Sequence, residues 1–126
     1  MADENDIFDT KIDEGEVAAA QKLAAEASGD VSTHKFSKPL VYMGKTYETM
    51  TMNFAILTGD DGLAIENEMA VLGKAVIIPS FSGEYLIRMA VRASDERIGV
   101  DAFRIMPLSD YNRIRSKARS FLLKSE

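Results

Sequence analysis

Hydrophobic and polar positions change period along the chain. Over residues 46–54 they alternate: Tyr47, Thr49, Thr51 and Asn53 face one way, and Glu48, Met50, Met52 and Phe54 the other. Apart from Glu48 the second set is apolar, and such alternation predicts a strand with one buried face. Just before it, residues 39–43 are apolar and β-prone, with Gly44-Lys45 as a turn. The two stretches therefore predict a β-hairpin. Lys38-Pro39 is the expected opening of the domain, because proline biases the residue before it towards extended backbone. A lone hairpin is marginal in water, so later elements must cover its apolar face.

After the hairpin the period lengthens. Thr58-Gly59-Asp60-Asp61 reads as an N-cap with acids in the first helical turn, and Asp61 stands where a capping box places Glu. Leu63, Ile65, Met69, Ala70 and Leu72 fall near helical spacing, and Gly73 suits the C′ position. Residues 75–79 form a short apolar linker, open to a third strand that Pro79 would limit. Ser80 or Ser82 caps a helix over residues 83–93, whose stripe is Tyr85, Leu86, Met89, Ala90 and Ala93, with Arg88 and Arg92 outside it. Residues 94–99 read as a polar turn, and residues 100–106 as a short helix stopped by Pro107. Ser109 caps the last helix, with Asp110 at its positive end. Its stripe is Tyr111, Ile114, Ala118, Phe121 and Leu122; Arg113, Arg115, Lys117, Arg119 and Lys124 make the rest basic. The fold class is α+β: an N-terminal β-hairpin followed by three or four short helices, mainly helical.

Charge divides the chain differently. Residues 1–30 hold nine acids and two bases, whereas residues 31–126 hold eleven acids and thirteen bases. The first segment offers few large apolar residues, too few to offset an ordering cost of roughly 1–2 kcal/mol per residue. Residues 14–27 are nevertheless rich in helix formers. We read residues 1–35 as a flexible acidic arm, disordered or transiently helical, and residues 36–126 as the folded domain.

The 126-residue length allows one domain. There is no Cys, and His34 is the single His, which excludes disulfides, zinc-thiolate sites and thiolate catalysis. The opening has neither a basic n-region nor an apolar h-region, and no run approaches the ~18 apolar residues of a membrane span. An intracellular protein without membrane partners is expected. His34 reads as a surface residue in the linker between arm and domain, with no acid near it in sequence. Asp60 and Asp61 are explained by capping, and Glu66 and Glu68 do not face each other on a helix. No catalytic, cofactor or metal site is expected. The net charge of −5 argues against nucleic acid as a partner of the whole chain. The basic last helix, with Arg97 and Arg104, leaves a nucleic-acid-binding regulator as an alternative, although the acidic arm could neutralise that face. Seven methionines suit an adaptable binding surface as well as a core.

From Phe36 onward the motifs follow one another in a recognisable order. "FSKPLVYMGKTYETMTMNF" is an opening hairpin, and "LTGDDGLAIENE" a helix start after its second strand. "PSFSGEYLIRMAVRAS" is a middle helix, and "MPLSDYNRIRSKARSFL" a terminal one. In this order the chain resembles the tail assembly chaperones of tailed phages and prophages, of the contractile-tail, Mu-like type. The resemblance implies a non-enzymatic protein of the host cell cytoplasm, absent from the finished particle. It implies binding of the tape measure protein, which it keeps soluble, and help in recruiting the tail tube protein. The alternative within the same setting is a structural tail or baseplate subunit. The client surface expected on this reading combines the helices at 61–72 and 83–93 with the hairpin: Met50, Met52, Ile65, Met69, Leu72, Leu86 and Met89. Self-association is left open.

Overall fold

The computed structural model describes Ala20 and residues 30–124. The expected arm lies outside the described residues except for Ala20, which is helical and exposed, and residues 30–35. Those last residues correct the domain boundary. Strand β1 runs Val31–Tyr42, so the domain opens well before Lys38-Pro39.

β1 pairs antiparallel with β2 (Lys45–Asn53), from Val31↔Asn53 to Lys35↔Thr49 and again from Leu40↔Tyr47 to Tyr42↔Lys45. In between, residues 36–39 of β1 face the single residue Glu48, which makes a bulge. Pro39 is tolerated there because a bulge residue need not donate to the ladder. His34, Phe36 and Leu40 of β1 and Met50 and Met52 of β2 turn inward. The inward set of β2 is the one its alternation predicts.

The hairpin closes through Met43 (φ 54°) and Gly44 (φ 79°). Two positive φ values in a two-residue loop are the mark of a type I′ turn, which favours Asn-Gly. Met43 is the misfit, since a left-handed conformation costs an ordinary L-residue about 1–2 kcal/mol. It is also exposed. We therefore expect Met43→Asn to stabilise the protein by about 0.5–1 kcal/mol, read as a higher thermal midpoint; an unchanged or lower midpoint contradicts this turn.

A 3-10 turn at Phe54–Ile56, capped by Asn53 Oδ1 on the Ala55 N–H (3.1 Å), leads to helix α1 (Gly59–Val71). At its start the Asp61 carboxylate accepts from the Thr58 N–H (2.8 Å), as the sequence predicts. At its end Gly73 (φ 73°) donates to Ala70 O and Lys74 N to Met69 O (2.9 Å), a Schellman motif. Residues 75–78 form no strand, and Pro79–Phe81 is a 3-10 turn. Ser82 caps helix α2 (Gly83–Ala93) by accepting from Tyr85 N (3.2 Å). A 3-10 turn at Val100–Arg104 precedes helix α3 (Leu108–Lys124). The third-strand position falls instead to the polar turn: Ser94 bridges Met52, Asp95 N donates to Thr51 O (3.0 Å), and Glu96 Oε1 accepts from Thr51 N (2.9 Å).

Helix α2 is the centre of the molecule. Tyr85, Leu86, Ile87, Met89, Ala90 and Ala93 are all buried, and the helix packs against β2, α1 and α3. The core around it takes Met50 and Met52 from the hairpin, Ile65 and Met69 from α1, and Ile114 and Ala118 from α3. Phe54 stacks on Phe121 at 5.3 Å between centroids and fastens the hairpin's end to α3.

Candidate functional site

Most of the residues expected to form a client surface lie in the core. Met50, Met52, Ile65, Met69, Leu86 and Met89 are buried, and only Leu72, 51% exposed, reaches the surface. The reason is geometric. The apolar face of the hairpin and the stripes of α1 and α2 point at one another, so each covers the next. Six of the seven positions serve packing in this conformation and correct that expectation.

The apolar surface that remains lies next to Leu72. Within residues 71–81, Val71 (87% exposed), Leu72, Ile77 (87%), Ile78 and Phe81 (72%) all stand in solvent. Two shallow concavities border this ridge. One, almost wholly apolar in its lining, is formed by Asn67, Glu68, Val71, Leu72 and Arg88. Glu66, Ala70, Lys74 and Ile77 help to line the other. Helix α1 has apolar residues on more than one side, and α2 covers only Ile65 and Met69, so Leu63 and Val71 stay exposed. Gly73 then turns the chain and brings residues 74–78 out as loop.

A chain of ion pairs edges the ridge and ties α1 to α2. Arg92 Nε meets Asp61 Oδ1 at 2.8 Å, and Arg88 bridges Glu68 Oε1 (3.0 Å) and Glu84 Oε1 (3.1 Å). Lys74 Nζ completes it on Glu84 Oε2 (3.1 Å). The N–H of Thr58 and then the Arg92 guanidinium hold the Asp61 carboxyl below its ordinary range. The carboxylates of Asp61 and Glu68 are thus turned to arginines.

A second polar cluster is buried. His34, read from sequence as a surface residue, is shielded on the inner face of β1, and Asp110 is fully buried in the first turn of α3. Asp110 Oδ1 accepts from His34 Nε2 (2.8 Å) and Ser37 N (3.0 Å), while Oδ2 accepts from Ser37 Oγ (2.8 Å). An ionised carboxylate only accepts, so Nε2 carries the hydrogen. Ser37 bonds the carboxylate and, among the described residues, no hydroxyl is lined up on the imidazole; the three residues act as a clamp between β1 and α3. Alternation could have placed His34 inside, though not named its partner: Thr33, Lys35 and Ser37 are exposed while His34 and Phe36 face in, which extends the strand pattern upstream of Pro39.

The basic helix is less free than its sequence suggests. The Arg119 Nε donates to Ser80 O (2.8 Å), with its guanidinium over the Phe81 ring, and Arg115 lies on Tyr111. Lys124 pairs with Asp30. That leaves Arg113 and Lys117 as the bases of α3 without an ion pair or ring contact among the described residues. No described helix is long and apolar enough to cross a membrane. Comparison with protein-family models, curated proteins and solved structures returns no match for this chain.

Proposed function

We propose that this chain is a non-enzymatic phage tail assembly chaperone. It acts in the host cell cytoplasm, binds the tape measure protein, keeps it soluble and helps recruit the tail tube protein. The observation that carries the reading is the exposed apolar ridge of Val71, Leu72, Ile77, Ile78 and Phe81. Exposed apolar patches with polar rims mark protein-docking sites. The occupant is a helical, apolar segment of the tape measure protein, whose stripe fits the ridge. This moves the client surface from the buried methionines to the end of α1 and the loop after it. The motif order from Phe36 onward supports the identity of the client.

The test is a pull-down with tagged full chain from cells expressing the tail operon. Tape measure protein should be recovered, with tube protein as a weaker companion. The double substitution Val71→Asp and Ile77→Asp should reduce affinity at least tenfold, about 1.4 kcal/mol, with the thermal midpoint kept. Unchanged capture by that variant removes the ridge as the site. Recovery of the chain in purified particles would favour the structural tail or baseplate reading instead. A nucleic-acid regulator is less favoured, because so few bases of α3 remain free.

A further inference from the structure

Among the described residues the outer edge of β1 is open. Phe54 N donates to Asp30 O (2.9 Å), and hydrogen-bonded pairs alternate along an antiparallel ladder. Thr51, opposite Thr33, accordingly turns its N–H and C=O away from β1, where Glu96 and Asp95 take them. The same alternation turns the backbone groups of Thr33 and Lys35 away from β2. Both residues are exposed, and among the described residues their outward N–H and C=O groups have no partner. Ser37, next in the row, gives its N–H to Asp110.

Helix α3 lies antiparallel beside this edge. Asp110 meets Ser37 at one end and Lys124 meets Asp30 at the other. The strand between those points measures roughly 23 Å and the helix roughly 21 Å, so they run side by side. Between them is a groove lined by Thr33, Lys35, Asn112, Arg113, Ser116 and Lys117. Lys35, Arg113 and Lys117 have no carboxylate partner among the described residues, whereas Lys74, Arg88, Arg92 and Lys124 each have one. An open strand edge beside a helix takes an extended segment as an added strand, and three free cations select an acidic one. Left bare, the same edge would invite pairing between chains.

An acidic segment is tethered at the end of this groove. Residues 3–16 hold seven acids and one base. Residues 17–29, of which Ala20 is helical, join them to Asp30; thirteen residues span about 20 Å wound as helix and about 45 Å fully extended, so either limit reaches into the groove. A short tether also raises the local concentration to the millimolar range. We propose that residues 3–16 dock in cis in the β1–α3 groove, adding a strand to the edge at Thr33 and Lys35 and setting their acids against Lys35, Arg113 and Lys117. The arm masks the basic face of α3 and the open edge together. This inference concerns a different face from the apolar ridge and does not depend on the client proposed there.

The chain has no cysteine, so Thr10→Cys gives one site for a nitroxide label on the full-length protein. At low salt the amide signals of Thr33, Lys35, Asn112, Arg113 and Ser116 should broaden at least twofold against the reduced label. Arg113→Glu with Lys117→Glu, both on the surface, should restore them with the thermal midpoint kept, as should high salt. No broadening at these amides, or broadening that survives the charge reversal, overturns the proposal. So does broadening seen only when isotope-labelled chain is mixed with a separate spin-labelled chain, since the arm would then reach a second copy.

Discussion

Asp110→Ala should lower the thermal midpoint of the full chain by roughly 15 °C. The substitution removes the acceptor for three hydrogen bonds and leaves the Ser37 N–H and His34 Nε2 without it. An unsatisfied buried donor costs about 1–3 kcal/mol, so the loss is about 3 kcal/mol, and each kcal/mol moves the midpoint of a domain this size by about 4–8 °C. Asp110→Asn keeps the shape and one acceptor oxygen, and should cost about 1 kcal/mol. The pH dependence has a defined sign. Burial pushes the Asp110 carboxyl up, but the Ser37 hydroxyl and N–H and the His34 ring together outweigh it, and the group ends below its ordinary value. A depressed carboxylate contributes in full above its unfolded-state value, about 3.9, and its contribution is lost as pH falls through the folded-state value. The midpoint gap between wild type and Asp110→Ala should therefore be constant near neutrality and shrink in acid below that value. A gap that persists undiminished in strong acid would show that the carboxylate is not held as described.

Met89→Asp should abolish cooperative folding. Met89 is buried in α2, the helix that packs against β2, α1 and α3, and its loss forfeits about 2–3 kcal/mol of apolar burial before the carboxylate is counted. Placing that carboxylate in the core without a partner costs several kcal/mol more. Together these approach the 5–15 kcal/mol total stability of an ordinary domain. Met69→Asp in α1 should behave alike, whereas Val71→Asp, two residues on and in solvent, should stay within about 0.5 kcal/mol of wild type. Circular-dichroism melts of the three variants measure this directly. The contrast decides how client binding is read: a failed pull-down with Met69→Asp or Met89→Asp reports unfolding, and only the ridge variants report the surface. A cooperative melt for Met89→Asp would mean that α2 is not the centre of the core.

Much of the fold was legible because its causes are local. Alternation over Thr46 to Phe54 specifies β2 and its inward face, and Met50 and Met52 are where it places them. The Thr58–Asp61 pair, the glycine at 73 and the Ser82 cap mark helix ends through bonds that span a few residues. Pro39 hid the first half of β1, because a bulge that accommodates it is visible only once both strands are paired.

The exposed apolar ridge was not legible, for one physical reason. A stripe of methionine and leucine says that a face is apolar, not whether another element covers it. Met50, Met69 and Met89 are buried because the hairpin, α1 and α2 converge, while Val71 stands in solvent because α2 reaches only one side of α1, and Ile77 because it lies on the loop beyond that helix. The clamp between His34 and Asp110 joins positions 76 residues apart, and no spacing rule connects them. The sequence by itself determined the α+β class, the hairpin, the helix caps and the placement of charge, since each follows from neighbours along the chain. Only the tertiary structure decided which apolar side chains are core and, among the described residues, which cations lack a carboxylate and which strand edge is open, since those depend on what the fold brings alongside.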